Sequence, residues 1–228
     1  MATRRLAVNL YYDVTSPYTW LAFEVLCRYR KPWQMDLKLQ PVFLGGIMHA
    51  TGNQPPGLLQ QRGEYMVKDL KRLAEYMDIP LKTNPECWQY IITKGTLTAQ
   101  RFLTAVDQEC PQHLEEVSRQ LWIRLWSNGK EIHEEQTFHE ICSKAGVSHS
   151  AAQKLCELAK TAEVKDKLKA ATQEIVEIGA YGLPAYTTQL PQFNKPQLFF
   201  GSDRLELFAH CVGKPWLGPR PEQQSSKL

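Results

Sequence analysis

Hydrophobic and polar positions divide the chain into three stretches. The first opens with an apolar, aromatic-rich run, Leu6-Ala7-Val8-Asn9-Leu10-Tyr11-Tyr12, which predicts a strand. Trp20, Leu21, Phe23, Leu26 and Cys27 then form an apolar stripe at helical spacing and predict a helix from Pro17 to Arg30. Met35 to Phe43 alternates, with Leu37 and Leu39 set against Asp36, Lys38 and Gln40, and predicts a second strand. Strand, helix, strand is a βαβ unit.

The second stretch begins with glycines and prolines. Gly45-Gly46 through Pro55-Pro56-Gly57 reads as a long loop. From Gln60 to Ala180 the signals are almost all helical. They predict helices over Tyr65–Met77, Thr96–Val106, His113–Trp126, Gln136–Ala145, Ser150–Leu158 and Val164–Gly179. Met66, Leu70, Leu73 and Tyr76 are the stripe of the first, and Ser148 can cap the fifth. In the third stretch, strand character returns at Leu183–Thr187 and Gln197–Phe200. Ser202 is then placed to cap a final helix, Asp203 to Val212. The order is β-α-β, a helical block, then α-β-β-α. It predicts an α/β fold of thioredoxin-like order interrupted by an all-helical insertion. Residues 1–59 and 181–228 form the split thioredoxin-like domain and residues 60–180 the insertion domain.

Composition narrows the function classes. The chain has 228 residues, 43% of them hydrophobic and 22% charged, enough for a full core. Its 27 basic and 24 acidic residues are interspersed, so no nucleic-acid footprint stands out. No run approaches the roughly 18 apolar residues of a membrane span. The six cysteines form no C-x-x-C pair and no metal-type spacing, and read as reduced, mostly core thiols. His133 and His139 are six positions apart and are expected to be solvated or satisfied, with no metal. The chain ends in Ser226-Lys227-Leu228, a peroxisomal address that implies an import receptor as partner. Arg4 and Arg5 make only a weaker case for a mitochondrial presequence.

Four pieces carry candidate chemistry. Ser16-Pro17-Tyr18-Thr19 stands where the first strand meets the first helix. Ser16 can cap that helix and Pro17 suits its first turn, so a hydroxyl sits at a positive helix end that favours anions and thiolates. Thioredoxin-like oxidoreductases carry C-x-x-C at this corner. With Ser and Thr at the end positions, disulfide exchange is chemically excluded here. The second piece is Gly182-Leu183-Pro184: a cis Pro184 would turn the Leu183 backbone outward to a peptide-like ligand, whereas an ordinary edge-strand proline would not. The third is Gly201-Ser202-Asp203-Arg204, either a plain helix start or a place for a carboxylate and an ammonium. The fourth is Asn53 in the glycine-rich loop, a turn residue or a polar arm over the corner.

These pieces, with YDVTSPYTW, GIMHATGNQPPGLL, GTLTAQRFLTAV, YGLP and LFFGSDRLEL, resemble the kappa-class glutathione transferases from the first strand to the carboxyl terminus. The resemblance implies a homodimer, found in mitochondria and peroxisomes. It implies that Ser16 is the catalytic hydroxyl, and that Ser16, Pro17, Tyr18, Asn53, Leu183, Ser202 and Asp203 bind glutathione. Glutathione is then a co-substrate, and no cofactor or metal is expected. The loop Gln60-Gln61-Arg62 is less basic than the family pattern. The activity implied is conjugation of glutathione to small hydrophobic electrophiles, with peroxidase activity as an addition. The alternatives are a glutathione-dependent isomerase of aromatic ring compounds, and a non-enzymatic peroxisomal binding protein.

Overall fold

The computed structural model describes residues 5–222, so Ser226, Lys227 and Leu228 lie outside the described residues. Strand β1 (Leu6–Tyr12) leads into helix α1 (Pro17–Tyr29) and returns as β2 (Met35–Pro41). Near the other end, β3 (Ala185–Thr188), β4 (Gln197–Phe200) and α10 (Leu205–Cys211) follow one another. The sheet has four strands in the order β2-β1-β3-β4. β1 runs parallel to β2 and antiparallel to β3, and β3 runs antiparallel to β4. This is the split thioredoxin-like sheet that the order of elements predicts.

The strand patterns follow from position in that sheet. β1 is central, with Leu10 and Tyr12 in one core and Tyr11 in another, so it reads as a continuous apolar run. β2 is an edge strand, and its buried Leu37 and Leu39 alternate with exposed Asp36 and Lys38.

Between β2 and β3 lie α2 (Leu44–Thr51), α3 (Gln60–Met77), α4 (Pro85–Lys94), α5 (Leu97–Glu109), α6 (Leu114–Trp122), α7 (Glu135–Lys144), α8 (His149–Leu158) and α9 (Ala162–Ile178). Two of these differ from the sequence expectation in kind. The stretch read as a loop from Gly45 holds α2. Its first N–H groups are satisfied from far along the chain: Leu44 N–H donates to Asp13 Oδ2 at 2.9 Å, and Phe43 N–H donates to Thr172 Oγ1 at 3.0 Å. Tertiary partners thus override two glycines of low helix propensity. Helix α4 carried no prediction because its apolar face is thin, with Cys87 its one buried residue.

Smaller corrections have equally local reasons. α3 starts at Gln60, and its buried stripe is Met66, Leu70, Ala74 and Met77; Tyr76 is exposed. The helix expected through Trp126 is α6 followed by a π-helical segment, Ile123–Ser127. Ser202 opens a short 3-10 turn, Ser202–Arg204, and makes no side-chain cap bond; α10 begins only at Leu205.

The inserted helices pack directly on the sheet. Leu10 and Tyr12 share one core with Trp20 and Phe23 of α1, Trp122 of α6 and Phe208 of α10. On the other face, Tyr11 packs with Val42, Ile47 of α2 and Ile175 of α9. Trp122 is the hub of the first core: its ring centre lies 4.8 Å from that of Phe23, 5.5 Å from that of Tyr12 and 6.4 Å from that of Trp20.

Candidate active site

Strand register gathers the predicted pieces at one end of the sheet. Tyr11 pairs with Ala185, and Ala185 pairs with Phe200. One step beyond those pairs lie Leu183-Pro184 and Gly201-Ser202, beside the residues that follow β1. The Leu183–Pro184 bond is cis. Gly201 N–H donates to Pro184 O at 3.0 Å, which ties the third piece to the second. Asn53 Nδ2 donates to Tyr181 O at 2.7 Å, which ties the fourth piece to the same segment. A side chain at Gly182 would crowd the Phe200 ring and the Asn53 amide at 3.0 and 3.4 Å.

At the corner, Ser16 is the N-cap of α1, and its Oγ accepts the Thr19 N–H at 3.1 Å. That bond uses a lone pair and leaves the hydroxyl hydrogen free to donate. Ser16 is 6% exposed, enough for a ligand atom to reach it and little enough to exclude bulk water. Pro17 is buried at the first helical position. Tyr18 is half-buried, and its hydroxyl donates to Asp69 Oδ2 on α3 at 2.9 Å. Burial first, then that bond to Asp69, pushes the Tyr18 phenol well above its usual range.

The recognition pieces differ in how they are held. Leu183 is buried, and among the described residues neither its N–H nor its C=O has a hydrogen-bond partner. That pair of free backbone groups is what strand addition by a peptide uses. Ser202 is buried at 6% exposure. Asp203 is exposed and paired with Arg204 at 2.8 Å. Gly201 has φ +97°, and Asp203 Oδ1 lies 2.5 Å from where a Cβ at Gly201 would stand, so the turn needs glycine.

Residues without a sequence-based role hold the corner in place. Asp13 is fully buried; its Oδ1 accepts Thr15 N–H at 2.9 Å and its Oδ2 accepts the Leu44 N–H. Burial pushes its carboxyl up to about 6, against the pull of the bonds from Thr15, Leu44 and Thr96. Gln100 of α5 is also fully buried. It donates to Tyr12 O at 2.9 Å and Val42 O at 2.7 Å, and accepts the Val14 N–H at 3.3 Å. Trp122 Nε1 donates to Ser16 O at 3.3 Å, and Trp126 Nε1 donates to Val14 O at 3.2 Å. The four-residue spacing of those tryptophans on an apolar face was a usable signal, since a buried indole N–H needs an acceptor. Nothing local in the sequence points to Gln100 or to the depth of Asp13.

The cysteines take no part in this corner's chemistry. Burial raises the thiol pKa of Cys27, Cys87, Cys110, Cys142 and Cys156, so none of these is a ready thiolate at neutral pH. His133 and His139 depart from expectation, because the Nδ1 atom of each is buried without a hydrogen-bond partner.

The sequence matches the DSBA-like thioredoxin domain family over residues 7–213. It is 44% identical over 221 residues to glutathione S-transferase kappa 1 of Homo sapiens, covering 97% of each chain. It is 33% identical over 225 residues to glutathione S-transferase kappa 1 of Caenorhabditis elegans, again covering 97% of each. Among solved structures, a 2-hydroxychromene-2-carboxylate isomerase superposes with a TM-score of 0.72 at 18% identity, covering 97% of this chain and 98% of that one.

Proposed function

The chain belongs to the kappa-class glutathione transferases, within the DSBA-like thioredoxin domain family, and we propose that its Ser16 corner holds the thiolate of glutathione and presents it to small hydrophobic electrophiles. The observation that carries this reading is the Ser16 hydroxyl, fixed by the Thr19 N–H so that its own hydrogen is free for a sulfur. A thiol with an ordinary pKa of about 8.5 is mostly protonated at neutral pH. A charge-assisted hydrogen bond from Ser16 and the positive end of α1 favour the anion, and one unit of depression needs about 1.4 kcal/mol.

The proton leaves to water. The sulfur anion attacks the electrophilic carbon, an S–C bond forms, and a leaving group such as chloride departs with its electron pair. Ser16 is a donor throughout and never a nucleophile. Leu183 pairs with the tripeptide backbone, Pro17 and Tyr18 line the sulfur end, Asn53 faces the middle, and Ser202 with Asp203 receives the γ-glutamyl head. The same thiolate can attack the terminal oxygen of a hydroperoxide, releasing an alcohol. A second glutathione then closes the disulfide as water leaves.

The test is the pH profile of kcat/KM with 1-chloro-2,4-dinitrobenzene. Ser16→Ala should raise the apparent thiol pKa by about one unit and lower the neutral-pH rate about tenfold. Superimposable profiles would refute the role. The isomerase reading rests on shared fold alone, and incubation with 2-hydroxychromene-2-carboxylate should return the substrate unchanged.

Two further readings complete the proposal. Exposed Leu58, Leu59 and Tyr65, at and just before α3, support a homodimer, which light scattering would detect as twice the chain mass. The terminal Ser226-Lys227-Leu228 supports peroxisomal import rather than mitochondrial, and deleting Leu228 should abolish that import.

A further inference from the structure

A cavity of about 300 Å³ lies among α5, α7, α8 and α9, within the helical insertion. Its floor is apolar: Phe138 of α7, with Ala159 and Cys156. Burial pushes the Cys156 thiol up to about 11, so the floor is neutral as well. The rim is cationic. Arg101 of α5, Lys160 in the turn before α9, and Lys165 of α9 all line it. Lys160 is paired with Glu135 at 2.7 Å, whereas Arg101 and Lys165 have no ion-pair partner among the described residues. Two polar atoms at this cavity are buried and unpartnered, Arg101 Nε and His133 Nδ1. His133 Nδ1 stands 3.9 Å from Glu131 Oε2, beyond hydrogen-bond reach. Buried polar groups without partners are uncommon in folded chains, and two at one cavity call for an occupant.

The sign of that occupant can be decided. Glu135, His139 and Cys156 bring one ligand atom each within 4.8 Å of one another, which suggests a divalent cation. The Glu135 carboxylate is already held by Lys160, however, and the two unpaired cations Arg101 and Lys165 add repulsion. An anion gains from Arg101 and Lys165, with the Glu135 charge already offset by Lys160, and its apolar part can lie on Phe138. We propose that this cavity is a second binding site, for a small organic anion: a carboxylate held by Arg101 and Lys165, with a short apolar body against Phe138. The volume is at the lower end for ligand pockets, which favours a body the size of a medium-chain acyl group.

The site is separate from the Ser16 corner. Gln100 points to the sheet, with bonds to Tyr12 O and Val42 O, while its neighbour Arg101 faces the cavity. The helix α5 therefore stands between the two.

Calorimetric titration with octanoate tests the proposal, with glutathione titrated in parallel. The intact protein should bind octanoate at millimolar concentration or below. Arg101→Gln with Lys165→Gln should weaken that at least tenfold and leave glutathione affinity unchanged. Octylamine, with the charge reversed, should not bind. Failure of octanoate to bind, or equal binding by the double variant, would overturn the site. So would Zn²⁺ binding that is lost in Cys156→Ser, with octanoate inert, since the cavity would then be a cation site. If the double variant fails to fold, as judged by circular dichroism, Phe138→Ala serves in its place and should weaken octanoate but not glutathione.

Discussion

The Ser16 corner and the Gly201–Asp203 turn stand at the same end of the sheet and are built on opposite principles. The corner is over-determined. Asp13, Gln100, Trp122 and Trp126, three of them from inserted helices, each spend a buried polar group on the backbone between Tyr12 and Ser16. The turn has fewer such ties: Gly201 N–H on Pro184 O, the Tyr186 hydroxyl on Gly201 O at 3.3 Å, and an exposed Asp203–Arg204 pair. The difference matches the chemistry proposed for each. A donor that lowers a thiol pKa has to be placed within tenths of an ångström, since hydrogen-bond strength falls steeply with distance and angle. A charged head group can be received by an exposed carboxylate that moves, because Coulomb attraction has no such geometry.

The comparison breaks most sharply at Trp122. Its side chain is fully buried and its ring is in contact with Tyr12, Phe23 and Trp20. Trp122→Ala should cost about 3–5 kcal/mol by the transfer and cavity terms together. It also leaves Ser16 O without the indole donor. Urea unfolding should show the full loss. In the folded fraction the Ser16 donor should be misplaced, so kcat should fall more than KM changes. A variant with normal stability would mean the insertion merely covers the corner rather than holding it.

Asp13 sharpens the contrast through pH. Its carboxyl is pushed up to about 6 by burial, from an ordinary value of 3.8. Between those values the folded chain keeps a proton that the unfolded chain gives up. Stability from this group is therefore complete below about pH 4 and is lost as pH rises through about 6. The shift corresponds to about 3 kcal/mol as an upper figure. Comparison of wild type with Asp13→Asn isolates it: the stability difference should move against the wild type between pH 4 and 7. Asn keeps one acceptor for the two N–H groups of Thr15 and Leu44, so the variant also carries a pH-independent loss of about 1 kcal/mol. Parallel curves would show that the carboxyl does not titrate in this window.

The same contrast explains what was legible in the sequence. Ser16 as a cap followed by Pro17, the β1 run and the alternation of β2 are local facts, written within a few residues of where they act. So is the glycine at 201. What was hidden acts at a distance: Gln100 lies 88 residues from Tyr12 along the chain, and α2 owes its first turn to Asp13, 31 residues from Leu44, and to Thr172, 129 residues from Phe43. No window of sequence contains both halves of such a bond, so α2 reads as a loop and Asp13 draws no expectation. The exposed turn shows the opposite error. Ser202 carried a cap signal that nothing local contradicted, yet the chain takes a 3-10 turn there because Gly201 enters at φ +97°.

The smallest effect is the one at Asp203, and its smallness is the point. Its side chain is 67% exposed and paired only with Arg204, so Asp203→Ala should leave stability within about 0.5 kcal/mol. If the turn recognises the ammonium of glutathione, KM for glutathione should still rise about three- to tenfold, with kcat unchanged, because uniform binding is lost while the thiolate donor is intact. Salt provides the control. An exposed carboxylate acting on an ammonium is screened, so the ratio of KM values between variant and wild type should shrink as ionic strength rises to about 1 M. A fall in kcat would place Asp203 with the rigid corner instead, acting on the position of the sulfur, and the division between a fixed chemical end and a yielding recognition end would fail.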